Sequence, residues 1–129
     1  MSKTFHCIVA GSRKFNNYEM LKKELDYLLQ NQIDVEIISG GAKGADSLAE
    51  KYADEKGYKK HIMPAEWGLY GKRAGYIRNE QMHIYASEYE NRGCVCFWDG
   101  KSKGTAHNFE LAERFNTPIK VINYGKERE

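Results

Sequence analysis

The sequence has only three cysteines, no apolar run approaching about 20 residues, and no long block of one charge sign, its short charged tail Lys126 to Glu129 alternating in sign. Each absence excludes something. Cys7, Cys94 and Cys96 all fall inside apolar, strand-like runs, and an odd count without secretory features argues against a disulfide framework. They read as reduced core residues. Zinc held by Cys94 and Cys96 with His6 or His107 is the alternative, but C-x-C on a strand lacks a second ligand pair at the usual spacing, so no metal is expected. With no membrane span and no signal-peptide core, the chain is expected to be soluble, cytoplasmic and without a membrane partner.

Charge is also scarce in net terms, since 20 basic and 18 acidic residues leave +2. That balance does not resemble a general nucleic-acid binder. Two nucleotide fingerprints are missing as well. A Walker A loop ending in Gly100-Lys101-Ser102 needs glycine where Val95 stands, and the turn after the first strand reads Gly11-Ser12-Arg13-Lys14-Phe15-Asn16 rather than G-x-G-x-x-G. An ATPase reaction and a dinucleotide cofactor are therefore disfavoured, and no cofactor is expected.

What is present is an alternation of short apolar runs with segments of helical spacing. The runs are Phe5 to Ala10, Val35 to Ile38, His61 to Met63, Cys94 to Trp98 and Ile119 to Ile122. Between them, apolar residues recur at helical spacing in Tyr18 to Leu29, Leu48 to Ala53, Ile77 to Tyr85 and Phe109 to Phe115. Gly57 and Asn116-Thr117-Pro118 supply stops. In 129 residues, 41% hydrophobic, this implies one α/β domain: a three-layer sandwich around a five-stranded parallel sheet of order 3-2-1-4-5. Ligands of such sheets bind beyond the carboxyl ends of the strands, where chain order reverses.

Three glycine turns fall at those ends: Gly11-Ser12-Arg13, Ser39-Gly40-Gly41-Ala42-Lys43-Gly44-Ala45-Asp46, and Asp99-Gly100-Lys101-Ser102-Lys103-Gly104-Thr105. The second leads from a strand into a helix, where unpaired amides and the cation of Lys43 suit a phosphate. Asp46 beside a phosphate would repel it, so it is expected either to address ribose hydroxyls or a cation, or to stabilise the helix N-terminus. The irregular stretch Pro64 to Gly75 is richer in aromatic and basic residues than a connector requires. Trp67, Tyr70, Tyr76 and Trp98 are candidates for stacking on a base, with ordinary packing as the alternative.

Taken with Arg78-Asn79-x-x-Met82, these turns resemble the YspA-type, cpYpsA-related branch of the SLOG superfamily over residues 5 to 122. That superfamily is similar to the Smf/DNA-processing proteins and to the lysine-decarboxylase-like Lonely Guy phosphoribohydrolases, and the resemblance implies a Rossmann-like fold that binds nucleotides or nucleotide-derived ligands. It further implies that Gly40, Gly41 and Gly44 form the phosphate turn and that Arg13 reaches the same pocket. Gly100, Ser102, Gly104 and Thr105 would form the opposing wall, with Arg78 and Asn79 on the helix between them and Met82 packing beneath. A phosphate fork and a solvated helix-face cation both remain open for Arg78. Where the phosphoribohydrolases carry a glutamate, this chain has Asn108, and an amide cannot act as a carboxylate base.

The leading expectation is thus a sensor or sequestering module for a nucleotide-derived, phosphorylated ligand held by Gly11, Ser12, Arg13, Ser39, Gly40, Gly41, Lys43, Gly44, Asp46, Trp67, Arg78, Asn79, Asp99, Gly100, Lys101, Ser102, Gly104 and Thr105. An enzyme cleaving an N-glycosidic or phosphate bond with Glu66, Asp99 or Asp46 as acid or base stands second. Single-stranded nucleic-acid binding stands third, and a homo-oligomer is implied by analogy.

Overall fold

A computed structural model describes residues 3–125; the charged tail 126–129 lies outside the described residues. Five parallel strands form one sheet in the order β3-β2-β1-β4-β5, as the alternation requires. They are β1 (Thr4–Gly11), β2 (Asp34–Ser39), β3 (Lys59–Ile62), β4 (Arg92–Trp98) and β5 (Ile119–Asn123). The helices are α1 (Tyr18–Leu28), α2 (Ala45–Lys56), α3 (Trp67–Tyr70), α4 (Ala74–Ser87) and α5 (Lys103–Arg114), with a 3₁₀ turn at Gly71–Arg73. The result is an α/β Rossmann-like fold.

Side-chain alternation along β1 divides the core into two layers. Cys7 and Val9 pack on one face with Leu21 and Leu25 of α1 and Ala49, Tyr52 and Ala53 of α2. Ile8 and Ala10 pack on the other with Met82 and Ala86 of α4 and with Cys94 and Cys96. All three thiols are buried core residues outside any disulfide. Burial pushes the Cys7 thiol up to about 12, which keeps it protonated. Among the described residues, no group of three or more His, Cys, Asp and Glu is placed to hold a metal ion, and no helix is long and apolar enough to cross a membrane.

Two elements differ from the sequence reading. β3 starts at Lys59, two residues before the expected run, because as an edge strand it needs backbone pairing with β2 but little burial. The stretch expected to be irregular holds α3 and the 3₁₀ turn, too short for any periodicity to register. The stops behave as expected: Gly57 caps α2 in the left-handed conformation, and Asn116 takes φ 55° after α5.

The chain order reverses between β1 and β4, and the carboxyl ends of these strands define where a site opens. There the β1 backbone stays joined to β4 one residue past the strand, through Ser12 N–H to the Phe97 carbonyl at 3.1 Å.

Candidate functional site

A cavity of about 440 Å³ lies at this switch point. Its walls come from the turn after β1 (Gly11, Ser12, Arg13, Lys14), Ala42 and Asp46 around the start of α2, and the segment from α3 to the start of α4 (Trp67, Lys72, Gly75). Tyr76, Arg78 and Asn79 of α4 and Asp99, Ser102, Gly104 and Thr105 beyond β4 complete them. Ala10, Met82 and Asn108, each at most 6% exposed, form the floor.

The turn before α2 is closed on itself rather than open to a ligand. The Gly41 amide donates to Ser39 Oγ at 3.1 Å, the Ala42 amide to Asp46 Oδ2 at 3.1 Å, and the Ala45 amide to the Ser12 carbonyl at 3.2 Å. Asp46 therefore fills the anion position of its own loop. Ser39 is fully buried and donates to Glu50 Oε2 at 2.7 Å. Gly44 takes φ +78°, and a Cβ there would run into the Ser12 carbonyl and the Arg13 backbone, so the tight passage from β2 into α2 requires glycine.

Burial pushes the Asp46 carboxyl up to about 6 despite the Ala42 amide and the nearby Arg78 and Arg13 guanidinium groups, with Glu50 adding to the rise. Arg78 is buried too, which rules out a solvated helix-face cation. Its Nη1 donates to the Gly40 carbonyl at 2.5 Å and its Nε to Asn79 Oδ1 at 3.0 Å. Asn79 Nδ2 in turn donates to the Gly104 carbonyl at 3.2 Å, so neighbouring residues of α4 tie the two facing loops together.

Beyond β4, Asp99 Oδ1 accepts from the amides of Lys101 at 2.9 Å and Ser102 at 2.7 Å, which hold its carboxyl below the usual range. Ser102 caps α5 by accepting from the Thr105 amide at 3.3 Å. Asn108 spends its amide on structure: Nδ2 donates to the Gly104 and Thr105 carbonyls, which leaves Oδ1 to accept from His83 Nε2 at 3.0 Å. His83 Nδ1 is buried without a partner, and burial holds this imidazole below its ordinary pKa.

Of the expected site residues, Gly11, Ser12, Arg13, Asp46, Trp67, Arg78, Asn79, Asp99, Ser102, Gly104 and Thr105 line the cavity. Ser39, Gly40, Gly41, Lys43, Gly44, Gly100 and Lys101 do not. Gly40 is covered by the Arg78 guanidinium, Gly41 faces Ile62 and Pro64, and Gly100 faces Asn123. Among the expected acids and bases, Glu66 stands at the N-cap of α3, outside the cavity lining. Of the aromatic residues, Trp67 and Tyr76 line the cavity and are 48% and 45% exposed, whereas Trp98 is spent on packing, with Nε1 on the Ser102 carbonyl at 3.0 Å and its ring edge-on to Phe109. The Arg13 guanidinium sits 5.4 Å from the Trp67 ring centroid, within cation–π range.

Lys14 and Lys72 also line the cavity, outside the set expected from sequence. Lys14 directly follows the Arg13 turn, and Lys72 lies in the aromatic and basic stretch already singled out, so both signals were present. Four cations, Arg13, Lys14, Lys72 and Arg78, thus meet two carboxylates, Asp46 and Asp99, around one cavity.

With this geometry in place, comparison with known proteins decides the family. Residues 6–70 match the YspA, cpYpsA-related SLOG family. The chain belongs to that family. As a SLOG protein it is 30% identical over 124 residues to the gene 61 protein of Mycobacterium phage D29, with 92% of this chain and 94% of that protein covered. Among solved structures the fold resembles DNA processing protein A from Helicobacter pylori, described as having a unique single-stranded DNA binding mode. The TM-score is 0.64 at 19% identity, over 96% of this chain and 66% of that one.

This neighbour overturns the ranking of functions drawn for the SLOG chain from sequence. The sequence alone favours a sensor or sequestering module for a nucleotide-derived ligand and ranks single-stranded nucleic acid third, whereas the neighbour is described as binding single-stranded DNA. The low rank of nucleic acid rests on charge averaged over the whole chain. A net +2 conceals a local excess of cations beside two half-exposed aromatic rings.

Proposed function

We propose that this protein binds single-stranded nucleic acid through the cavity at the switch point, with DNA as the first candidate. The observation that carries the reading is the meeting of Arg13, Lys14, Lys72 and Arg78 with the exposed rings of Trp67 and Tyr76 around one opening. Cations that follow a phosphate backbone and aromatic faces that accept any base are the two components of single-strand recognition. The likeness in fold to a single-stranded DNA binding protein supports the reading. The three buried thiols, none in a disulfide, fit a reducing cytoplasmic setting.

Duplex is disfavoured on the same grounds. Its bases are stacked on one another and are not free to lie on Trp67 or Tyr76, so only the phosphate term would remain. Fluorescence anisotropy with internally labelled DNA and RNA strands and with the matching duplex, over a series of salt concentrations, tests the proposal. Single strands are expected to bind more tightly than duplex, with affinity falling steeply as salt rises. Absence of strand binding, or equal affinity for duplex, sinks it.

A further inference from the structure

We propose that the cavity takes the terminal nucleotide of a strand, with its terminal phosphomonoester, rather than a nucleotide within a continuous chain. The inference rests on the strand-binding reading and concerns how the same site is filled. Its first ground is shape. Ala10 at the end of β1, Met82 of α4 and Asn108 of α5 are almost fully buried, so the cavity ends on the core and does not pass through the molecule. A strand threaded through its middle has to enter and leave by one mouth. A strand end has to enter once.

The second ground is capacity. About 440 Å³ lies near the lower end of the roughly 300–1,000 Å³ of pockets that enclose one small ligand. That is room for a single nucleotide, in contrast to grooves that track about four or more nucleotides per domain.

The third ground is charge. An internal phosphodiester brings one negative charge, and a terminal phosphomonoester brings about −1.5 to −2 near neutral pH. Four cations against the carboxylates of Asp46 and Asp99 leave a formal excess of two positive charges around the cavity, which matches a terminal phosphomonoester more closely than a single diester. The polar groups of the floor are also committed. Asn108 is bonded to His83 and to the Gly104 and Thr105 carbonyls, and Asn79 to Arg78 and Gly104, so neither amide is free to read a base edge. The rest of the lining is mainly the charge of Arg13, Lys14 and Lys72 and the ring surface of Trp67 and Tyr76, and these recognise an end group without regard to sequence.

The test uses the full chain and unlabelled competitors that displace an internally labelled linear strand. The competitors share one sequence and one length: a linear strand with a 5′-phosphate, one with a 3′-phosphate, one with hydroxyls at both ends, and a covalently closed circle. The circle is expected to compete at least tenfold more weakly than the better phosphorylated strand. The hydroxyl-ended strand should fall at least threefold below it, and the two phosphorylated strands together identify which end enters. A circle that competes with less than this deficit, or a hydroxyl-ended strand that equals both phosphorylated ones, overturns the inference while leaving strand binding intact. If no linear strand binds, the proposed function falls and this inference falls with it.

Discussion

Arg78 Nη1 donates to the Gly40 carbonyl at 2.5 Å, joining a guanidinium on α4 to the backbone of the loop that runs from β2 into α2. Removing it leaves a buried acceptor without a donor and a buried Asp46 without its neighbouring cation. Arg78→Ala is expected to cost about 1–3 kcal/mol of stability in urea denaturation. Arg78→Lys keeps the charge but loses the second donor, to Asn79, and should recover part of that loss. Equal stability of the parent and Arg78→Ala refutes the positioning role.

Asp46 gives a pH signature. Folding raises its carboxyl from 3.8 to about 6, so between these values the folded chain keeps a proton that the unfolded chain releases. Stability from this group therefore falls as pH rises through that window and is level above it. Asp46→Asn, whose amide oxygen still accepts from Ala42, removes the cost and should be more stable than the parent by up to about 3 kcal/mol at pH 7, with no difference near pH 3. Burial of His83 acts in the opposite sense, since a lowered imidazole pKa loses stability as pH falls below 6.5. The Asp46 effect is thus visible in the difference between variant and parent. Parallel pH profiles exclude it.

Salt dependence separates cations that face the cavity from those that do not. Arg13→Ala and Lys72→Ala should each weaken strand binding and reduce the slope of log affinity against log salt by about 1. Lys43 and Lys101, which do not line the cavity, should leave the slope unchanged when replaced by alanine. A slope insensitive to all four variants contradicts the assignment.

Of the two tryptophans, Trp67 is exposed at the site and Trp98 is fixed in packing. Trp67→Ala should lose about 1–3 kcal/mol of strand affinity, the range for one stacked base, and abolish quenching of tryptophan fluorescence by added strand. Full quenching retained in Trp67→Ala would move the stacking surface elsewhere.

Much of the fold was legible because buried elements impose periodicity. Leu21 and Leu25 declare α1, and the run Ile8, Val9 and Ala10 declares a strand covered on both faces. Elements with little burial left no such trace: β3 is exposed at Lys59 and Lys60, and α3 has a single turn. The site was legible as a place, since glycine turns mark strand ends at a switch point. Its occupancy was not. Whether the loop amides at Gly41 and Ala42 await a ligand or donate to side chains of the protein itself depends on where Ser39 and Asp46 point, and spacing alone does not determine that. Arg78 likewise sits on a helix whose exposed and buried faces differ little in sequence, so its burial against Gly40 was visible only in three dimensions.

Arg78 and Asn79 are adjacent on α4, yet one holds the Gly40 carbonyl and the other the Gly104 carbonyl on the opposite wall. The width of the cavity is accordingly set by one helix before any guest arrives. Such a site spends little free energy on ordering its loops, so encounter should run at rates governed by diffusion and charge steering. Selection among strands then falls to residence time: related ligands are expected to enter at similar rates and to differ in how quickly they leave.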